Sequence, residues 1–360
     1  MNKALTSRWG PVWAGGIIGV LAVVLVKLGN PGNMGICVAC FTRDIAGALG
    51  LHRAGIVQYI RPEIPGFIIG AYLSSFFFGE HRPRGGSSPM VRFFLGLFAM
   101  IGALVFLGCP WRAYLRLAGG DWNALAGIAG LICGVLIGVV FLMKGFTLGS
   151  AKVSPKWSGS FIMLAGLALL AFLFVRPLFG AEGTGPIFFS TSGPGSMHAP
   201  ILVSLAVGLL VGYLAQRSRF CTVGAVRDLI MLKDTHLFRG VVAFIVAAFA
   251  ANLVLGSFKP GFEGQPVAHT MQLWNFLGMV LSGLAFTLAG GCPGRQLIMA
   301  GEGDNDSGVF VLGMLVGAGF AHNFSLASSG AGVGAFGIPA TIVGLVFCAA
   351  VGGLFVARLD

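Results

Sequence analysis

The chain has 360 residues, 56% of them hydrophobic and only 10% charged, with a formal net charge of +11. A soluble domain carries about 25% charged residues, so this composition excludes an ordinary globular enzyme and points to a protein solvated by lipid. No basic run is long enough to track a nucleic acid, and the seven cysteines have no small secreted domain to staple, so neither nucleic-acid binding nor a disulfide framework is expected.

A membrane span needs ~20 mostly apolar residues. In chain order the first half offers 11–28, 55–79, 91–108, 123–143 and 157–176, and the second offers 199–215, 238–256, 272–290, 307–327 and 336–357. The first stretch, after Lys3 and Arg8, reads as a span and not as a signal peptide. No small-residue cleavage site follows it, and it has a counterpart in the second half. The second stretch is interrupted by Arg61-Pro62-Glu63-Ile64-Pro65-Gly66. That predicts either a kinked helix lining a cavity or a span that begins near Pro65 and leaves the charges in water. His322 and Asn323, late in 307–327, are further cavity candidates, with a satisfied interhelical histidine as the alternative. Residues 180–197, rich in Gly, Pro, Ser and Thr, join the halves as a linker or an entrance lid.

Four short segments complete the pattern: 35–50, 109–118, 221–232 and 292–301. They are too short to span and most open with Gly or Pro, so they are predicted as re-entrant helices. Such backbone is tolerated at membrane depth only where protein or a cavity covers it. Each carries a cysteine, and the motifs are written twice. Cys37 precedes Arg43-Asp44 as Cys221 precedes Arg227-Asp228, and Gly108-Cys109-Pro110-Trp111-Arg112 returns as Gly291-Cys292-Pro293-Gly294-Arg295. Gly120-Asp121 and Gly303-Asp304 stand twelve residues beyond the second and fourth cysteines, and the copies are offset by 184 and 183 residues.

Five spans per half is an odd number, so the second half enters the membrane from the opposite side, as in many transporters. The fold class expected is an all-α polytopic membrane protein with about ten transmembrane helices and four re-entrant helices. Residues 1–179 and 198–360 form its two inverted-topology halves. The N-terminal side receives 15 of the 23 basic residues, which predicts cytoplasmic termini. Cys37 and Cys109 then dip from outside and Cys221 and Cys292 from inside, so that the four could meet near the midplane.

Proline suits the first position of a helix, which places Cys109 and Cys292 at helix N-termini, where backbone N–H groups and the helix dipole favour anions. Arg112 and Arg295, one turn in, add positive charge. The competing reading is a tight turn with a buried structural cysteine. In the other motif a helix returns Asp44 beneath Cys37 and Asp228 beneath Cys221, and Arg43 and Arg227 either neutralise the acid or attract an anion. Cys40, Cys133 and Cys348 lack repeat partners. The last two read as packing residues, and Cys40 keeps a possible auxiliary thiol role. Neither metal-ligand spacing nor a phosphate-cradling loop is present, so no metal, cofactor or ATP coupling is expected.

These paired motifs, together with Ser218-Arg219-Phe220-Cys221-Thr222, resemble the YeeE/YedE family of bacterial inner-membrane sulfur-compound transporters, and most closely its selenium-metabolism branch. The resemblance implies an hourglass with a cavity on each face, central thiols that pass a sulfur anion by S–H···S contacts, and a TusA-like cytoplasmic sulfur-carrier protein as partner. Carried over, the relay positions are Cys37, Cys109 and Cys292. Thiosulfate-transporting members centre on three cysteines, whereas four motif positions are cysteine here. The expected function is import of a small sulfur or selenium anion across the inner membrane. The alternatives are a membrane thiol–disulfide oxidoreductase and a scaffold for a TusA-like sulfurtransferase.

Overall fold

Helices follow one another in the computed structural model, which describes residues 2–176 and 186–356. In the first half they are α1 (Asn2–Leu5), α2 (Gly10–Lys27), α3 (Val38–Ala48), α4 (Glu63–Phe77), α5 (Pro89–Phe106), α6 (Pro110–Ala118), α7 (Asn123–Met143) and α8 (Phe161–Val175). The second half supplies α9 (Ile201–Ser218), α10 (Thr222–Met231), α11 (His236–Val254), α12 (Gln272–Ala289), α13 (Pro293–Gly301), α14 (Asn305–Asn323) and α15 (Gly337–Leu354). The protein is an all-α polytopic membrane protein. Among the described residues eight helical stretches are long and apolar enough to cross a membrane. Two of the ten expected spans are not among them. Helix α4 has only 15 residues, and α14 carries Asn305, Asp306, His322 and Asn323 at its ends. The four cysteine segments are the short helices α3, α6, α10 and α13, as their Gly and Pro openings predict.

The long helices pair reciprocally across the halves: α2 with α11, α4 with α9, α5 with α12 and α14, and α7 with α12. Glycine makes these crossings possible. Cβ atoms at Gly15, Gly70, Gly96 and Gly134 would collide with the carbonyl oxygens of Gly240, Leu209, Phe310 and Val280 on the facing helices. Lipid tails offer no hydrophobic drive for helix association, so close backbone approach through small residues provides the packing. Gly134→Ala is expected to lower stability by about 1–3 kcal/mol, the usual cost of overpacking. Thermal unfolding in detergent reads this, and an unchanged midpoint would count against the α7–α12 crossing.

Loops gather at two ends. At one, 78–88 meets 302–304 and 144–160: Arg82 N donates to Glu302 O (3.0 Å) and Ser154 N to Pro83 O (3.0 Å). A two-residue antiparallel ribbon, Arg84–Gly85 with Lys152–Val153, ties the same loops. At the other end Lys259 N donates to Gly119 O (2.9 Å), and the described part of the predicted linker packs on the loop before α4, Ser190 N donating to Gln58 O (2.8 Å). Residues 180–185 of that linker lie outside the described residues.

The Arg61–Gly66 segment follows the second sequence expectation in where the helix begins and departs from it in where the charges lie. Helix α4 begins at Glu63, with Pro62 as its N-cap and Pro65 in its first turn, so no helix is kinked there. The charges are not in water either: Arg61 is 0% and Glu63 1% exposed. Both are buried against protein groups, because other elements of the chain supply their partners.

Candidate functional site

Each motif cysteine is the N-cap of a short helix. The Cys37 Sγ accepts from Cys40 N at 3.3 Å, the Cys221 Sγ from Gly224 N at 3.2 Å and the Cys292 Sγ from Arg295 N at 3.4 Å. Such a sulfur occupies the place of the serine or aspartate oxygen that ordinarily satisfies a first-turn N–H. Cys109 is the exception: Pro110 follows it at N1 and its sulfur makes no capping bond. It faces the Cys37 thiol, Sγ to Sγ, at 3.8 Å. At the other pair Cys292 N donates to the Cys221 Sγ at 3.5 Å. All four are free thiols and buried. The structure therefore gathers them as two pairs, Cys37 with Cys109 and Cys221 with Cys292, one motif of each kind in each pair.

The arginines are largely occupied. Arg43 donates to Asp44 Oδ1 (2.7 Å), and Arg61 to Asp44 Oδ2 (2.8 Å), Met197 O (2.8 Å) and Pro194 O (2.7 Å). Asp44 thus pairs with two guanidinium groups at once, and one carboxylate against two cations leaves a single positive charge in the cluster. Arg112 donates to the carbonyls of Leu107, Pro266 (3.2 Å) and Val267 (3.1 Å), and to the Cys40 Sγ (3.5 Å). Its charge holds the end of α5 and the loop before α12, which sequence spacing could not show. Glu63 accepts from Asn30 at 2.8 Å. Arg227 and Asp228 pair with each other at 2.7 Å and stay partly exposed.

Arg295 is the motif arginine that lines a polar cavity. It pairs with Glu302 at 3.1 Å; Glu302 also takes Arg219 at 2.9 Å, and Glu80 takes Arg217 at 2.7 Å and Arg219 at 2.8 Å. These groups surround a cavity of about 260 Å³ lined by Glu80, Arg82, Arg84, Arg219, Arg295 and Glu302. Four arginines against two glutamates leave it cationic. Burial alone would raise the Glu80 carboxyl, but hydrogen bonds from Arg217 and Gln216 and the charge of Arg219 outweigh it and hold the group below its ordinary value. A cavity of about 160 Å³ at the opposite end is lined by Asn33, Leu115, Gly119, Asn252, Lys259 and Gln265 among others.

Arg61, Glu63, His322 and Asn323 line neither of these cavities. His322 packs on His52, ring centroids 4.4 Å apart, and Asn323 is exposed and donates to Leu51 O at 2.9 Å. The doubled Gly-Asp marked Asp121 and Asp304 in the sequence, whereas Arg116, Glu80 and Glu302 carried no signal of their own. Asp121 takes Arg116 at 2.6 Å with both fully buried, whereas its repeat equivalent Asp304 caps α14 through Ser307 N (3.1 Å) and pairs with Arg84 at 3.0 Å. Glu80 and Glu302 gain importance only because folding brings them to Arg217, Arg219 and Arg295.

Residues 217–354 match the family model described as sulphur transport. The chain is similar to the thiosulfate transporter TsuA of Escherichia coli (strain K12), 32% identical over 108 residues, which is 30% of this chain and 30% of that protein. A thiosulfate transporter TsuA from Spirochaeta thermophila is 34% identical over 103 residues, 29% of this chain and 31% of that protein. The matched stretches span under one third of either relative's length. The family match contains Cys221, Arg227, Asp228, Cys292 and Arg295, half of the doubled motif set. Through residues 217–354, under half of its length, the chain is similar to the sulphur transport family.

Proposed function

We propose that this protein imports a small sulfur oxyanion, thiosulfate or a selenium analogue, across a bacterial inner membrane by way of its buried thiols. The observation that carries the reading is the pairing of four thiols at buried helix N-termini, Cys37 with Cys109 and Cys221 with Cys292. A helix N-terminus attracts an anion, and a thiol meets its soft sulfur end by S–H···S contact. Several weak stations in series let a cargo leave as readily as it enters.

The reciprocal pairing of α2 with α11 and α4 with α9 supports two inverted halves, 1–179 and 198–360, with 180–197 between them. The excess of basic residues on the loops that share a side with the termini supports cytoplasmic termini. The arginine cavity then opens to the cytoplasm beyond Cys292. A TusA-like carrier with a reactive cysteine would receive the anion there. The curated relatives are named thiosulfate transporters, which favours sulfur cargo.

Uptake of radiolabelled thiosulfate into proteoliposomes tests the reading. Saturable uptake, competed by selenite if selenium is carried, is expected. Uptake no greater than in empty vesicles would refute transport and leave a scaffold role. The 3.8 Å separation of the Cys37 and Cys109 sulfurs favours one second reading, a thiol–disulfide oxidoreductase. Thiol labelling during turnover separates the two: a relay keeps its thiols free throughout, and a redox enzyme accumulates a disulfide.

A further inference from the structure

One residue links the two thiol pairs, and neither the motifs nor the family match assigns it a role. Trp111 occupies the variable position of Gly-Cys-Pro-x-Arg in the first half, where the second half has Gly294. The two equivalent positions touch. A Cβ on residue 294 would stand 2.5 Å from Cζ2 and 2.8 Å from Cε2 of the Trp111 indole. The ring thus starts on α6, two residues after Cys109, and ends against the first turn of α13, two residues after Cys292. Phe220, the neighbour of Cys221, lies 5.9 Å away on one side and Phe67 6.0 Å away on another, centroid to centroid.

The ring is fully buried, yet its Nε1–H has no acceptor. Buried indole N–H groups ordinarily find a partner, and one left without asks for an explanation. Nε1 is bonded to Cε2, which with Cζ2 forms the ring edge nearest Gly294, so the free donor lies near the first turn of α13. An unused, buried N–H thus stands on a ring that spans from the residue two after Cys109 to the residue two after Cys292.

We propose that Trp111 is an anion-binding residue between the two thiol pairs, its indole N–H donating to an oxygen of a sulfur oxyanion that moves from one pair to the other. The inference rests on the transport reading and adds a chemical demand to it: the cargo needs a hydrogen-bond-accepting oxygen as well as a soft sulfur. It also explains the unequal repeat. Only one half can place an indole at this position, because the other must have no side chain there to make room for it.

The test replaces Trp111 site-specifically by benzothienylalanine, which keeps the bicyclic shape and has sulfur in place of N–H. Thiosulfate affinity is measured by titration calorimetry on the detergent-purified full chain, and KM and maximal rate by proteoliposome uptake. Loss of a hydrogen bond to a charged ligand predicts Kd and KM raised about 10- to 100-fold, with maximal rate and thermal unfolding little changed. Trp111→Phe, which also lacks the N–H, is expected to weaken affinity at least as much. Wild-type affinity in the benzothienylalanine protein would overturn this inference and leave transport standing. Wild-type protein that neither binds nor takes up thiosulfate would overturn both.

Discussion

Asp44→Ala is expected to destabilise the protein by about 3–5 kcal/mol, the cost of removing one partner from a buried ion pair. The carboxylate is 0% exposed and serves two guanidinium groups, Arg43 and Arg61, themselves 2% and 0% exposed. Without it both cations lose their counter-charge in a low-dielectric interior. Arg61 keeps the Pro194 and Met197 carbonyls and its place over the Phe41 and Tyr59 rings, but neutral acceptors do not neutralise it. The damage should reach the contact between α3 and residues 194–197, since Arg61 joins them. The repeat supplies the control. Asp228 pairs only with Arg227, and their side chains are 18% and 31% exposed, so Asp228→Ala is expected to cost under ~1 kcal/mol. Thermal unfolding of the two purified variants checks the contrast. Equal, small shifts would show that Asp44 is not the hub of its cluster.

Cys109→Ala and Cys292→Ala are each expected to lower thiosulfate uptake by about tenfold or more, because one weakened station of a serial path limits the whole. Cys109 is the thiol whose sulfur caps no helix, and it faces Cys37 across 3.8 Å. Cys292 heads the helix that carries Arg295 toward the cationic cavity. Removing a buried sulfur also leaves a small void, which costs stability. Cys348→Ala separates that effect from transport. Cys348 is equally buried, on α15, and its sulfur belongs to neither pair. It should lose comparable stability and keep full uptake. Full uptake in both Cys109→Ala and Cys292→Ala would sink the relay.

The helical plan was legible because lipid imposes it. A span must satisfy its backbone internally over ~20 apolar residues, so hydrophobic length marks the helices. Where length and polarity gave mixed signals, at α4 and α14, the reading was least secure. Two of the four short helices were legible for a different reason. Proline after Cys109 and Cys292 marks a helix start whatever surrounds it, and α6 and α13 begin at Pro110 and Pro293. What the arginines do was not legible. Arg112 and Arg295 hold equivalent positions in one motif, yet the first is absorbed by backbone carbonyls and the second faces a cavity with Glu302.

The sequence by itself determined the class of protein, the doubled placement of four cysteines and the helix N-termini of two of them, Cys109 and Cys292. Those properties follow from composition, local backbone chemistry and a motif written twice. Only the tertiary structure decided that the thiols form two pairs, that Asp44 serves Arg61 as well as its neighbour Arg43, and that Trp111 reaches from one pair to the other. Each of these joins groups from different elements, from 17 residues apart for Asp44 and Arg61 to 72 for Cys37 and Cys109, and further still for Trp111 and Gly294. A buried charge or donor takes whichever partner packing brings within 3 Å or so, and sequence spacing carries no record of that choice.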